Sequence, residues 1–438
     1  MKISPSNPRN LSGLRHWFSG RGHALTLCLS LICALEGLYA SNTRVELKSG
    51  DFVAICGDSI TQQQLYSAFI ESYLLMCKPE PDLEAMCMGW SGETSLTFLK
   101  RMDNDAIPFQ PSVVTLCFGM NDGGHTPLNA KDASRYRDCM TQIVENFQKA
   151  GTRAIVVGSP GAVDTVAHTK SDPAIRNDNL KQLTVIAKEV ASKTGTGFVD
   201  IHSLMLDVMA KAKAKFGSSY HVAGADGVHP AANGHIIMAY AFLKALGCHG
   251  EIGTITVDGK TGTAEGSTGH KILSSSAGKV EVESEKYPFC FAGDPTSPDS
   301  PRGVLEFLPF NQDLNRFNLV VKNAPSARMK VIWGGQAKVF SAAELERGIN
   351  LASEFPENPF CEPFSKIQRA VVAQQSFDVK AVKFMQHSIM YWKEGLPEFA
   401  DDYKKLSEAL IQKTETERKK VGAMVKPVKH TIALEEAS

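Results

Sequence analysis

Residues 52–61 read FVAICGDSIT, a short apolar run that ends in Gly-Asp-Ser with a helix-forming stretch behind it. This pattern predicts a buried strand, then a turn that contains Ser59, and then a helix. A serine in that place lies at the carboxyl edge of a parallel sheet, where open α/β folds have their active sites. Many strands end in Gly-Asp or Gly-Ser for turn geometry alone, so Ser59 needs partners elsewhere in the chain to act as a nucleophile.

Short apolar runs alternate with longer amphipathic stretches as far as about residue 247. The predicted strands are 52–56, 83–88, 113–118, 153–157 and 197–200, and helix-like stretches lie at 62–77, 130–150 and 177–193. In the second of these stretches the apolar spacing of three and four marks one helical face, formed by Tyr136, Met140, Ile143, Val144 and Phe147. Strand and helix in alternation predict a parallel sheet of about five strands inside a three-layer α/β/α sandwich.

The pattern changes beyond residue 250. Residues 252–257 form an apolar run, and two alternating runs at 317–321 and 329–333 are separated by Asn-Ala-Pro-Ser-Ala, which predicts two antiparallel strands joined by a turn. Ser341 and Glu344 have capping-box spacing, with Gly348 placed to end a short helix. In the tail, Tyr403, Leu406, Leu410, Val421 and Met424 are compatible with one helical face that braces another domain. We therefore predict an α/β sandwich domain at 41–250, a small antiparallel β region at 251–350 and a helical region at 351–438.

Composition excludes several partners. The 438 residues include 47 basic and 47 acidic side chains, so no net charge favours nucleic acid or an anionic membrane.

Basic residues followed by an apolar stretch at 24–35 predict a signal peptide over residues 1–40, although Glu36 leaves an anchored or poorly ordered N-terminus as the alternative. No later segment has the length and apolarity of a transmembrane helix. The ten cysteines do not form a dense disulfide scaffold, and one disulfide involving Cys290 or Cys361 stays open.

Three further clusters contain candidate partners for Ser59, namely hydrogen-bond donors for an oxyanion and a general base. Residues 89–94, Gly-Trp-Ser-Gly-Glu-Thr, follow the second strand and offer a backbone amide beside a helix start. Residues 118–122 follow the third strand and contain Asn121, whose neutral amide can donate to developing negative charge. Asp226 precedes His229 by three residues, and Pro230 holds that histidine on the loop at a helix entrance, as a base oriented by a carboxylate requires. No matching histidine or carboxylate cluster completes a metal site, so we expect neither metal nor cofactor.

The four clusters, in this order and at successive strand ends, resemble the SGNH subgroup of the GDSL esterases and lipases over about residues 51–247. The resemblance implies a flavodoxin-like sheet and ester hydrolysis through an acyl-enzyme. It implies Ser59 as nucleophile and backbone oxyanion donor, Gly92 and Asn121 as the other two donors, His229 as base and Asp226 as its orienting partner. Relatives often have Asn where this chain has Cys87, which bears on the geometry of the loop after the second strand.

The family accepts several classes of ester. An exported, neutral chain with an added β region favours O-acetylated carbohydrate or cell-envelope polymers in the periplasm or outside the cell, with a lysophospholipase or short-chain lipid esterase as the alternative. A carbohydrate-binding or envelope-associated protein with little catalysis is the alternative of another class. Trp90 and His125 are candidate substrate contacts, although packing of Trp90 under the helix is the competing interpretation. The oligomeric state is left open.

Overall fold

Five parallel strands form the central sheet in the computed structural model, which describes residues 45–78, 80 and 82–437. The strands are β1 (Phe52–Gly57), β2 (Glu84–Cys87), β3 (Val113–Cys117), β4 (Ala154–Gly158) and β5 (Gly197–Val199). They pair in the order β2-β1-β3-β4-β5, all parallel. The prediction of a five-stranded parallel sheet is thereby confirmed. The predicted signal peptide lies outside the described residues.

Helices cover both faces of this sheet. They are α1 (Ser59–Gln62), α2 (Tyr66–Met76), α3 (Ser95–Asp105), α4 (Ala130–Lys149), α5 (Pro173–Thr194), α6 (Ile201–Phe216) and α7 (Ala232–Ala245). In β1, Val53 and Ile55 join one apolar core while Ala54 and Cys56 join the other, because successive side chains of a strand point to opposite faces. The predicted apolar face of α4 is buried in the second core. These layers confirm the predicted sandwich.

The stretch predicted as one helix over 62–77 is divided into α1 and α2. Gln64 lies between them with a φ of 59°, a left-handed conformation that interrupts the helical path. The break turns the chain just after Ser59, so that α1 is a single short turn rather than the start of a long helix.

The β region consists of two further sheets. Its strands are β6 (Glu251–Asp258), β7 (Ala264–Gly266), β8 (His270–Ser276), β9 (Lys279–Ser284), β10 (Arg316–Lys322), β11 (Arg328–Trp333), β12 (Gln336–Ser341), β13 (Ile349–Asn350) and β14 (Val428–Glu436). One sheet has the order β13-β10-β6-β7 and the other β12-β11-β14-β9-β8. All pairings are antiparallel except that of β6 with β10. The predicted antiparallel β region is confirmed.

The prediction that the runs at 317–321 and 329–333 pair with each other is wrong. The first run is β10, which pairs with β6 and β13, and the second is β11, which pairs with β12 and β14 in the other sheet. Alternation indicates which side chains of a strand are buried, but a strand can satisfy its backbone hydrogen bonds with any neighbour. The turn between the runs therefore connects two sheets.

Short helices lie at α8 (Pro301–Val304), α9 (Phe310–Leu314), α10 (Ala342–Arg347) and α11 (Leu351–Glu354), and longer ones follow at α12 (Cys361–Lys380), α13 (His387–Gly395) and α14 (Ala400–Gly422). A π-helical turn, Ala381–Gln386, joins α12 to α13. The capping box of Ser341 and Glu344 is present at the start of α10, and Gly348 ends that helix with a φ of 97°. The predicted helical region at 351–438 contains α11 to α14 and ends in the strand β14, whereas α8 to α10 lie within the predicted β region.

The predicted apolar face of α14 is only partly correct. Val421 is buried, but Leu406 is exposed, as is Met424 just beyond the end of the helix. The buried face is largely polar because it includes Ser407, Thr414 and Arg418. Arg418 donates to Glu84 at the start of β2 at 2.8 Å. The apolar spacing therefore did not predict which face of α14 is buried, because buried polar contacts hold part of that face.

The described residues fall in one compact unit, and the predicted domain boundaries at 250 and 350 stay predictions. In this part of the chain no helix combines the length and apolarity needed to cross a membrane. The eight cysteines that it contains are free thiols, Cys290 and Cys361 included.

Candidate active site

Ser59 is the first residue of α1, directly after β1. Asp58 caps this helix by accepting a hydrogen bond from the Ile60 amide at 3.0 Å. Gly57 is required at the end of the strand, because a Cβ there would lie 2.1 Å from Thr61 Oγ1 and 2.8 Å from the Cys117 carbonyl oxygen. The strand, the glycine and the cap thus leave Ser59 partly exposed at the carboxyl edge of the sheet.

His229 and Asp226 complete a hydrogen-bonded chain with Ser59. Ser59 Oγ lies 2.8 Å from His229 Nε2, and His229 Nδ1 lies 2.7 Å from Asp226 Oδ2. The other carboxylate oxygen of Asp226 accepts the backbone amides of Val228 and His229, both at 2.9 Å. Partial burial disfavours the charged carboxylate, but these hydrogen bonds outweigh it and lower the pKa of Asp226 to about 2.

The charge of Asp226 decides the tautomer of His229. An ionised carboxylate only accepts hydrogen bonds, so Nδ1 of the ring carries the proton and donates it to Asp226. Nε2 of the neutral ring is then left with a lone pair that faces the Ser59 hydroxyl. The arrangement can remove a proton from Ser59 as an acyl carbonyl is attacked.

Gly92 and Asn121 lie on the loops after the strands that flank β1. Gly92 has a φ of 77° in a turn closed by a hydrogen bond from the Glu93 amide to the Trp90 carbonyl at 3.2 Å. Asn121 Nδ2 donates to the Glu93 carbonyl at 2.9 Å, which leaves one proton of that amide group free for another acceptor. Both residues are exposed at the sheet edge where Ser59 lies. The two loops follow the strands on either side of β1, so the Gly92 amide and the Asn121 side chain lie at the same sheet edge as Ser59.

Buried charges hold these two loops. Arg101 pairs with both carboxylate oxygens of Glu93, each at 2.6 Å, and the pair is almost fully buried. Burial raises the pKa of Glu93, and the bonds from Arg101 oppose that shift. Asp122, next to Asn121, accepts the Ser95 amide at 3.0 Å and its hydroxyl at 2.5 Å at the start of α3. The loops are thus anchored on both sides of the exposed donors.

Cys87, the departure from the family pattern, is buried at the end of β2. Its thiol donates to the Thr61 carbonyl at 3.3 Å, so it contacts the nucleophile-bearing helix α1. Burial raises the pKa of this thiol to about 12, which keeps it protonated as a donor. The residue supports the local packing.

Trp90 lies in the loop that contains Gly92, and His125 lies shortly after Asn121 in the loop that follows β3. The Trp90 ring is 4.8 Å from the Arg101 guanidinium, 4.9 Å from Lys383 Nζ and 4.8 Å from the His387 ring, so it is extensively packed and only partly exposed. His125 is exposed, and its Nδ1 lies 3.0 Å from Ser171 Oγ. Their use by substrate stays a prediction. Across the described ranges, no group of three or more His, Cys, Asp or Glu side chains is arranged to hold a metal ion.

Sequence reasoning missed the three glutamines that follow the nucleophile. Gln62 accepts the Ser91 amide at 2.6 Å, Gln63 donates to the Pro230 carbonyl at 3.4 Å, and Gln64 accepts the Ser376 hydroxyl at 2.7 Å. The run of amides was visible in the sequence, but its partners lie on segments far away along the chain. Together they join α1 and the two residues after it to the Gly92 loop, the His229 loop and α12.

Comparison with known proteins agrees with this geometry. Residues 55–237 match the model of the GDSL-like lipase/acylhydrolase family. These residues form a GDSL-like hydrolase domain. The protein is a serine hydrolase that acts on ester bonds, and the resemblance predicted from the four clusters is confirmed over this domain.

The similar proteins differ in how much of the chain they cover. An acetylxylan esterase from Geobacillus stearothermophilus is 25% identical over 225 residues, which are 46% of this chain and 97% of that protein. A crystal structure of an acetylxylan esterase from the same organism covers 46% of this chain and 95% of its own, with 23% identity and a TM-score of 0.39. A gut microbial diltiazem-metabolizing enzyme covers 89% of this chain and 98% of its own, with 23% identity and a TM-score of 0.71. The similarity to the diltiazem-metabolizing enzyme shows that the two proteins share a fold over most of this chain, and not only over residues 55–237.

Proposed function

We propose that Ser59, His229 and Asp226 carry out ester hydrolysis through an acyl-enzyme. His229 Nε2 takes the hydroxyl proton as Ser59 Oγ attacks the ester carbonyl, and the amides of Ser59 and Gly92 with Asn121 Nδ2 stabilise the oxyanion. The proton passes to the leaving alcohol as the ester bond breaks. Water, deprotonated by the same histidine, then releases the acid. The continuous 2.8 Å and 2.7 Å contacts from Ser59 to Asp226 carry the proposal.

We propose O-acetylated carbohydrate as the substrate class. The side chains of His229 and Asp226 are 39% and 42% exposed, so the site is open and suits a small acyl group on a bulky polar chain. The name of the acetylxylan esterase relative, which aligns over nearly its whole length, supports the same class. We also propose export to the periplasm or the medium, on the basic and apolar pattern of residues 1–40.

A lipid ester is the second candidate. Phe384 and Met385 are 64% and 46% exposed next to Lys383, which contacts Trp90 of the donor loop. Exposed apolar side chains close to an esterase site can receive an acyl chain. Release of fatty acid from lysophosphatidylcholine with none of acetate from acetylated xylan would place this candidate first.

The test of the chemistry compares Ser59→Ala and His229→Ala with the parent protein on p-nitrophenyl acetate. We expect kcat to fall by roughly a thousandfold or more in each variant, because nucleophile and base act as one unit. Exposed Ser218→Ala is the matched control and should keep full activity. Circular dichroism establishes that the variants are folded. Parent-like turnover by either folded variant would refute the assignment.

A further inference from the structure

Gln62 receives two donors from different parts of the chain. Its Oε1 accepts the Ser91 amide at 2.6 Å and the Lys383 ammonium at 3.2 Å. Two donors on one oxygen fix the orientation of the side-chain amide, which a single bond would leave freer to rotate. Gln62 therefore links the helix that begins at Ser59, the loop that contains Gly92, and the C-terminal helices.

Lys383 is presented by an unusual element. It lies in the π-helical turn Ala381–Gln386, where the His387 amide donates to the Val382 carbonyl five residues back. Single π turns within longer helices are rare and often occur at functional sites. Lys383 is partly buried, and its ammonium also lies 4.9 Å from the centre of the Trp90 ring. One side chain of the C-terminal helices thus contacts both Gln62 and the start of the Gly92 turn.

The contacts of Gln62 and Lys383 act on the turn at Gly92 in addition to the buried Glu93–Arg101 pair that follows it. Gly92 is exposed, and a Cβ placed on it would meet nothing within 4 Å, so no packing restrains it directly. The Ser91 amide bonded to Gln62 is adjacent to the peptide whose N–H is the proposed oxyanion donor. A donor must be held in its productive direction before the reaction, because misplacement by about 1 Å can cost about a hundredfold in rate.

We infer that Lys383 is a positioning residue for ester hydrolysis, acting through Gln62 to hold the Ser91–Gly92 turn in the geometry that binds the oxyanion. The inference rests on the proposed role of Gly92. It assigns the C-terminal helices a part in the active site, 324 residues beyond the nucleophile by chain numbering. Lys383 itself makes no bond to the reacting atoms in this role.

The first experiment is Lys383→Met in the full chain, with p-nitrophenyl acetate as substrate. We expect kcat to fall about tenfold with KM changed less than twofold, because an oxyanion donor is loosened rather than removed, which would cost roughly a hundredfold to a thousandfold. Lys383→Arg should restore most of kcat, and exposed Lys380→Met on the same helical run is the matched control. A parent-like kcat in Lys383→Met, or a change confined to KM, would overturn the inference.

The second experiment tests whether the effect passes through Gln62. Gln62→Leu should lower kcat, Gln62→Glu should keep it because both acceptor contacts survive, and adding Lys383→Met to Gln62→Leu should cost nothing further. Fully additive losses would contradict the inference, and the two Gln62 variants decide it even where Lys383→Met does not fold. Ser59→Ala separates the two proposals. Activity in that variant refutes the proposed function. An inactive Ser59→Ala together with a parent-like kcat in Gln62→Leu refutes only the positioning role.

A tetrahedral inhibitor gives an independent readout. An alkyl boronic acid that bonds to Ser59 places an oxygen where the oxyanion forms, so its inhibition constant reports on the donors without turnover. We expect it to rise about tenfold in Lys383→Met and to stay unchanged in Lys380→Met. An unchanged constant in Lys383→Met would count against the positioning role.

Discussion

Asp58 is a carboxyl group that is buried directly beside the proposed nucleophile. Burial raises its pKa to about 7, the nearby charges of Asp122 and Glu93 add to the effect, and the bond from the Ile60 amide and the charge of His229 oppose it. The native state therefore binds a proton on Asp58 at a pH where the unfolded chain has released it. The sign follows from linkage: stability falls as pH rises between the ordinary pKa of 3.8 and about 7.

Asp58→Asn is expected to remove this pH dependence, because an asparagine keeps the helix cap and does not titrate. Between pH 5 and 6.5 the parent should lose about 2 kcal/mol of unfolding free energy relative to the variant. Urea denaturation at several pH values measures the difference. Exposed Asp103→Asn is the control and should follow the parent, while parallel curves for the parent and Asp58→Asn would contradict the prediction.

Residues at strand ends were the most predictable part of the site. Ser59, Gly92, Asn121 and the Asp226/His229 pair each occur in a short motif with its own turn or helix-start signal, so local chemistry indicated them. The structure brings Ser59 and the pair into hydrogen-bond contact, and their roles are proposals. Gln62 and Lys383 had no such signal, because their contact joins segments 321 residues apart and depends on how the C-terminal helices pack.

Strands beyond residue 250 show what alternation predicts and what it does not. In β10 and β11 the alternate residues predicted to be apolar and buried are indeed buried, yet the two strands belong to different sheets. The pairing is decided by a strand from the far end of the chain, since β14 lies between β11 and β9. No local turn signal in the sequence could predict that β11 pairs with a strand about 100 residues further along the chain.

The central place of β14 makes it the element whose packing matters most to that sheet. Ile432 is fully buried and lies opposite Trp333 on one neighbour and Val280 on the other. We expect Ile432→Ala to lower the free energy of unfolding by about 2–5 kcal/mol, through lost burial and the cavity that remains. Thr431→Ala, on the opposite face of the same strand, is the control and should cost less than about 1 kcal/mol. Denaturant unfolding of both variants checks this, and equal small losses would show that β14 is dispensable.

Buried polar contacts join the C-terminal helices to the hydrolase sheet. Gln375 donates to Glu71 on α2 at 2.6 Å and accepts the Ser67 hydroxyl at 2.7 Å, while Arg418 bonds Glu84 at 2.8 Å and lies 3.9 Å from Asp378. Burial raises the pKa of Asp378 to about 8, against the charge of Arg418. Such pairs are costly to break by removing one partner, so they fix the docking of these helices more than they add net stability.

A second buried polar chain joins the two sheets of the β region. Trp333 Nε1 donates to His430 Nδ1 at 3.2 Å, the other nitrogen of His430 lies 2.9 Å from Ser284 Oγ, and that hydroxyl lies 2.8 Å from His270 Nδ1. His270 Nε2 then donates to the Ile252 carbonyl at 2.9 Å. An indole N–H only donates and a carbonyl only accepts, so the chain is satisfied from end to end when both rings are neutral.

Acid should therefore destabilise the whole β region. Burial lowers the pKa of His430 to about 3, with the charge of His270 adding to the shift, so stability is full above the ordinary value of 6.5 and is lost as pH falls toward 3. Between pH 7.5 and 5 we expect the parent to lose about 2 kcal/mol more than His430→Gln, since glutamine can donate and accept without titrating. Denaturant unfolding at the two pH values measures this, with exposed His249→Gln as control. If His430→Gln loses as much on acidification as the parent does, the neutral chain does not govern the acid stability of this region.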